Sequence, residues 1–151
     1  VRRMDAQFIR NIFGIREALE GYLTRQAAVM LGAEDIARLR AIQSELRAAH
    51  MQRDVQGVVR LNRSFHRTIE AATGNDDAIR LLDLHSNLIG ALRTRVGYRP
   101  GRVEAVLREH DSLIEALAAR DAAAAGAIHD LHMRAARDDI VQALAEADAV
   151  T

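Results

Sequence analysis

Apolar residues recur along almost the whole chain at intervals of three and four, the spacing that lays one stripe along the side of an α-helix. The first such segment runs from about Asp5 to Leu31, with Ile9, Ile12, Phe13, Leu19, Leu23 and Ala27 on one side, and Gly32 is placed to end it. A second, from about Glu34 to Arg53, carries Ile36, Leu39, Ile42 and Leu46. Asp54 has the chemistry of an N-cap for a third, which contains Val55, Val58, Val59, Phe65 and Ile69 and stops at Gly74-Asn75. The fourth starts near Asp76, carries Ile79, Leu82, Leu88, Ile89, Leu92 and Val96, and is broken by residues 97–101, which hold two glycines and Pro100. A fifth runs from about Arg102 to Arg120 with Val103, Val106, Leu107, Leu113, Ile114 and Leu117, and Asp121 then caps a sixth that reaches about Ala147. Six helices joined by short turns leave no room for a sheet. The expected fold is all-α, an antiparallel bundle of about six helices forming one domain over residues 1–151.

The stripes are interrupted by polar side chains at places where apolar ones are expected. With each residue turned about 100° from the last, Asn62 and His66 fall one turn apart in the middle of the third stripe. His110 lies at the centre of the fifth, His132 falls between Ile128, Ala135 and Ala136 on the sixth, and His129 sits nearer its edge. His85 lies among Leu81, Leu92, Ile89 and Val96, and Arg16 lies amid Ile9, Ile12, Phe13, Leu19 and Leu23. A lone histidine in such a stripe is ordinarily a core residue satisfied by hydrogen bonds. Several buried polar groups together cost roughly 1–3 kcal/mol each unless they find partners. Imidazoles from three helices could find one in a shared divalent metal, since neutral imidazole ligates zinc, nickel and iron, and an i,i+4 pair with two further histidines makes four donors. Arg16 has two readings: an ion pair with Glu20 or another carboxylate, or a fork that clamps an anionic ligand.

Composition narrows the partners. The 151 residues balance 21 basic against 21 acidic groups, with a pI near 7.2, so the chain lacks the positive field that non-specific nucleic-acid binding needs. All the basic residues are arginine. There is no cysteine, which excludes a disulfide framework and leaves only nitrogen and oxygen donors for a metal. No apolar run approaches the ~18 residues of a membrane span, and the start has no signal-peptide pattern, so a soluble, cytoplasmic protein is expected. The chain opens at Val1 rather than Met, which fits a fragment of something longer.

Taken together, these residues resemble a known family. The stretch Asn62-Arg-Ser-Phe65-His66 followed by Ala-Ala-Thr-Gly74-Asn75 is similar to the D/N-x-x-F-H…N signature of the FCD effector-binding domain of GntR-type bacterial transcription regulators. Glu109-His110 with Leu113, Ile114, Ala116 and Asp121 resembles its E-H…I-x-A…D segment, and residues 128–133 resemble its last motif, built around a helix-borne histidine. Ile15-Arg16-Glu-Ala-Leu19-Glu20 with Ala27-Ala28 resembles its R-x-x-L-E…A-A opening. The six-helix count looks like the VanR-type subgroup. Many members have aspartate at the position of Asn62, and methionine is more usual where His129 stands.

The resemblance implies metal ligands at Asn62, His66, His110 and His132, with zinc or nickel foremost and manganese or iron admitted. It also implies a pocket for a small carboxylate effector faced by Arg16, a homodimer, and contact with operator DNA only through an N-terminal winged helix-turn-helix outside this chain. His85 is retained as a further pocket residue. Three neutral imidazoles and an amide leave a divalent ion's charge uncompensated, which favours an anionic carboxylate as an extra ligand. Two alternatives stay open. One is a hemerythrin-like metalloenzyme using the H-x-x-x-E spacing of His66 and Glu70, although the chain has no E-x-x-H pair and Glu70 falls at the edge of its stripe. The other is a plain interaction bundle whose core histidines are satisfied without a ligand.

Overall fold

A computed structural model of the chain describes residues 5–149. Its elements are α1 (Ala6–Met30), α2 (Ala33–Met51), α3 (Val55–Ala71), α4 (Asp76–Val96), α5 (Arg102–Ala118) and α6 (Ala122–Ala149), an all-α bundle as the periodicity predicts. The helix starts follow from side-chain caps that satisfy otherwise unpaired backbone N–H groups. Asp5 accepts from the Phe8 amide at 2.8 Å, Asp54 from Gly57 at 2.8 Å, Asn75 from Ala78 at 3.1 Å and Asp121 from Ala124 at 2.9 Å. Gly32 does not end α1 as expected. Its backbone is extended (φ −91°, ψ 174°), and it stands as the N-cap of α2 with its N–H donating to Asp35 at 2.9 Å.

Two turns share one construction. After α2 and α5 the chain passes through Arg53 (φ 57°) and Arg120 (φ 56°), both left-handed, and each is followed by the aspartate that caps the next helix. The Asp54 and Asp121 amides reach back to the Ala49 and Ala116 carbonyls at 2.9 and 3.0 Å, which closes the α2 and α5 ends in the manner of a Schellman motif. The longer α4–α5 connection takes positive φ at Gly97 (73°) and Gly101 (78°), a conformation that costs a glycine little.

α1 packs along α6 and also touches α3, α4 and α5, while α6, α5, α2, α3 and α4 follow one another in contact around it. One apolar core joins Ala27, Ala28, Leu39, Phe65, Ile69, Leu113 and Leu117 from α1, α2, α3 and α5; a second joins Ile9, Phe13, Ile89, Leu92, Met133 and Ile140 from α1, α4 and α6. Four expectations are corrected by the packing. Val55 is 41% exposed because it sits in the first turn of α3, and Leu81 is 66% exposed on the outer side of α4. Glu70 and His129, expected at stripe edges, are both buried, because α1 covers the flank of α3 and α6 that a lone helical wheel leaves open. Among the described residues no helix is long and apolar enough to cross a membrane.

Candidate metal centre

His66 on α3, His110 on α5 and His132 on α6 converge, each buried, with one ligating nitrogen apiece within 4.8 Å of the others. Their ring centroids form a near-equilateral triangle of 5.0–5.2 Å. The His132 and His66 Nε2 atoms are 3.2 Å apart, within the roughly 3.0–3.4 Å that separates neighbouring ligands about 2.1 Å from one ion. Phe65 stacks flat on His110 with centroids 3.9 Å apart and interplanar angle 2°, which fixes that ring. A donor group of this kind could hold a metal ion.

Neighbouring side chains decide which nitrogen of each ring is presented. His132 Nδ1 lies 2.6 Å from Glu109 Oε2. A carboxylate only accepts, so His132 carries its proton on Nδ1 and turns the lone pair of Nε2 inward. The side-chain nitrogen of Gln43 donates to the Leu107 carbonyl at 2.7 Å and to Asp111 Oδ1 at 2.9 Å, both acceptors, which leaves Gln43 Oε1 facing His110 Nδ1 at 3.2 Å. His110 therefore donates from Nδ1, and its buried Nε2 is left without a protein partner. Asn62 Oδ1 is likewise buried and unpartnered. Inward-facing imidazole lone pairs from three helices suit a divalent ion, so these histidines fit one.

The electrostatics keep the imidazoles in their ligating, neutral form. Burial pushes the pKa of His66 and His110 well below the ordinary histidine value, and the neighbouring histidines push the same way. Burial also lowers His132, against the opposing pull of Glu109. Burial works against the Glu109 charge, but hydrogen bonds from His132 and Arg102 outweigh it and bring its pKa down to about 2. Arg102 holds Glu109 through a two-pronged fork at 2.7 and 2.9 Å.

A cavity of about 360 Å³ opens onto this cluster, reaching Asn62, His66 and His132. Its wall carries Arg16, Arg60, Arg63, Arg67, Arg93 and Arg102 but only one carboxylate, Glu70. Most of these arginines have carboxylate partners set behind the wall: Arg16 with Glu20, Arg63 and Arg67 with Asp83, Arg93 with Asp139, and Arg102 with Glu109. A formally neutral chain thus borders its cavity with guanidinium groups, most of them held by carboxylates. Arg16 makes the ion pair foreseen for it, with Nε 2.6 Å from Glu20 Oε1, and its side chain borders the cavity. His85 is not brought to the cavity wall; it is half-buried on α4, with Nδ1 buried and unpartnered.

Gln43, which holds His110 Nδ1, is a residue that sequence reasoning passed over. It lies between Ile42 and Leu46, and it is 3% exposed. A glutamine next to an apolar stripe is the only signal it gives. Glu109 was visible as half of the Glu109-His110 pair, but not as the acceptor for a histidine on another helix.

Comparisons with known proteins agree with this architecture. The FCD domain family matches residues 11–135. Among solved structures, Escherichia coli McbR/YncC is similar with TM-score 0.86 and 19% identity, over 94% of this chain and 72% of that one. Streptococcus agalactiae GntR is similar with TM-score 0.76 and 18% identity, over 87% of this chain; the chain spans 59% of that protein's length. No curated protein matches it in sequence. The chain belongs to the FCD family, the regulatory effector-binding domain of GntR-type transcription regulators, and not to a family of enzymes.

Proposed function

We propose that this domain senses a small carboxylate at a divalent-metal centre and, as a homodimer, passes the signal to an N-terminal winged helix-turn-helix that binds operator DNA. The six-helix count supports assignment to the VanR-type subgroup. Asn62, His66, His110 and His132 would hold the ion, most naturally zinc or nickel given imidazole donors and no thiol, with manganese or iron as the alternatives. The observation that carries this reading is the pair of braces, Gln43 on His110 and Glu109 on His132, which turn two Nε2 lone pairs toward His66.

A bound divalent ion would supply a site for a carboxylate oxygen. Everything else is done by the chain itself. The arginine-rich wall favours an anion over a neutral solute, and Arg16, anchored by Glu20, is positioned to meet its charge. Because the walls come from α1, α3, α4, α5 and α6, a ligand that draws them together changes the balance between bundle arrangements. Only differential affinity for those arrangements can transmit a signal.

The test is calorimetric titration of chelator-stripped protein with Zn²⁺ and with Ni²⁺. The expected result is one ion per chain, lost in His66→Gln. Wild-type protein that binds neither ion would contradict the reading.

A further inference from the structure

The bundle interior holds a second group of ligating atoms that the proposed centre does not use. Glu20 on α1 and His129 on α6 are 2% and 1% exposed. Neither Glu20 Oε2 nor either ring nitrogen of His129 has a hydrogen-bond partner. Glu20 Oε2 and His129 Nε2 stand 3.5 Å apart, too far for a well-formed hydrogen bond, and both lie with a His66 nitrogen in a set whose atoms are all within 4.8 Å of one another. Buried groups left this way cost roughly 1–3 kcal/mol each, so Glu20 Oε2 and His129 Nε2, facing each other beside a His66 nitrogen, call for a shared partner.

The outer end of the Glu20 side chain is fixed. Glu20 Oε1 accepts from Arg16 Nε at 2.6 Å, which leaves Oε2 to face His129. His129 Nδ1 is 3.6 Å from Asp130 Oδ1, and Asp130 is in turn bound by Arg25 at 2.8 Å. This strap needs two glycines. A Cβ on Gly21 would come within 2.8 Å of Asp130 Oδ1, and one on Gly126 within 2.4 Å of Arg25 Nε. An ion bound at Nε2 would leave the His129 proton on Nδ1, facing Asp130 Oδ1.

We propose that Glu20, His66 and His129 form a second position for a divalent transition-metal ion, sharing His66 with the centre made by Asn62, His66, His110 and His132. A neutral imidazole has one lone pair, so His66 serves one ion at a time and each chain holds one ion with two stations. The stations differ in charge. The first offers only neutral donors, whereas the second includes the Glu20 carboxylate, which it shares with Arg16. This inference rests on the reading that the bundle interior binds a divalent ion.

Zn²⁺ titration of chelator-stripped protein tests it. His132→Gln disables the first station but leaves Glu20, His66 and His129, and it is expected to keep one ion per chain. Adding His129→Gln is expected to weaken that residual binding by roughly tenfold or more. Loss of all binding in His132→Gln, or residual binding that His129→Gln leaves unchanged, overturns the second station while the first stands. Two ions per wild-type chain overturns the sharing of His66, and no binding by wild type overturns both readings. Circular dichroism checks the fold of each variant. If His132→Gln does not fold, His110→Asn disables the same first station from α5 and gives the same comparison.

Discussion

Gln43 on α2 accepts a hydrogen bond from His110 Nδ1 on α5 at 3.2 Å, and this contact determines which nitrogen of His110 faces the bundle interior. The amide cannot turn over, because its nitrogen already donates to the Leu107 carbonyl and to Asp111. Replacing it with an apolar side chain of similar size removes the acceptor and frees the ring to change tautomer. Gln43→Leu is expected to weaken Zn²⁺ binding roughly 10–100-fold and to keep the helical fold, with calorimetry and circular dichroism as the two readouts. Unchanged affinity would show that the brace is structural only.

Metal removal should register as lost stability. An ion that binds the folded chain and not the unfolded one adds about 2.7 kcal/mol at one hundred times its dissociation constant. For a chain of this length that is roughly 5–10 °C in Tm. Zinc should raise the melting temperature of stripped wild-type protein by this order. His66→Gln should melt at the same temperature with and without it, because His66 belongs to both groups of ligating atoms.

Glu70 makes a separate prediction about pH. Burial first, and then the nearby Glu20 charge, raise its pKa from 4.5 to about 7, with Arg67 pulling the other way. Between those values the folded chain holds a proton that the unfolded chain has released, so stability falls as pH rises through that window. Glu70→Gln removes the penalty. It is expected to be more stable than wild type by on the order of 2–3 kcal/mol at pH 8, with the difference closing towards pH 4.5. Urea unfolding at the two pH values measures it, and an advantage independent of pH would contradict the assignment.

The left-handed turn at Arg53 holds a side chain where glycine is preferred. Arg53→Gly should raise stability by about 0.5–1 kcal/mol, measured by denaturant unfolding. Arg120 has the same backbone, but its guanidinium also donates to the Val29 carbonyl at 2.8 Å. The gain should therefore be smaller at Arg120.

The helices were legible because they depend on local chemistry: Asp54 and Asp121 each announce the helix that follows, whereas Asn75, read only as the stop of α3, also caps α4. Gly32 was misread because a glycine between two helical patterns suits either the end of one or the cap of the next. His66, His110 and His132 stood out because each breaks an apolar stripe. What they share with Gln43 and Glu109 could not be read, since those contacts join helices 67 and 23 residues apart in sequence. His129 and Glu70 were placed at stripe edges because a helical wheel carries no information about which neighbour covers an edge. Here α1 lies against both α3 and α6.

The central claim is that a carboxylate and a divalent ion are recognised together. Thermal unfolding of wild-type protein against a panel of small carboxylic acids, each with and without Zn²⁺, tests it most directly. The account predicts at least one acid that raises Tm in the presence of zinc and loses that effect when zinc is chelated. Acids that leave Tm unchanged under both conditions, or that shift it equally with and without the metal, would contradict it.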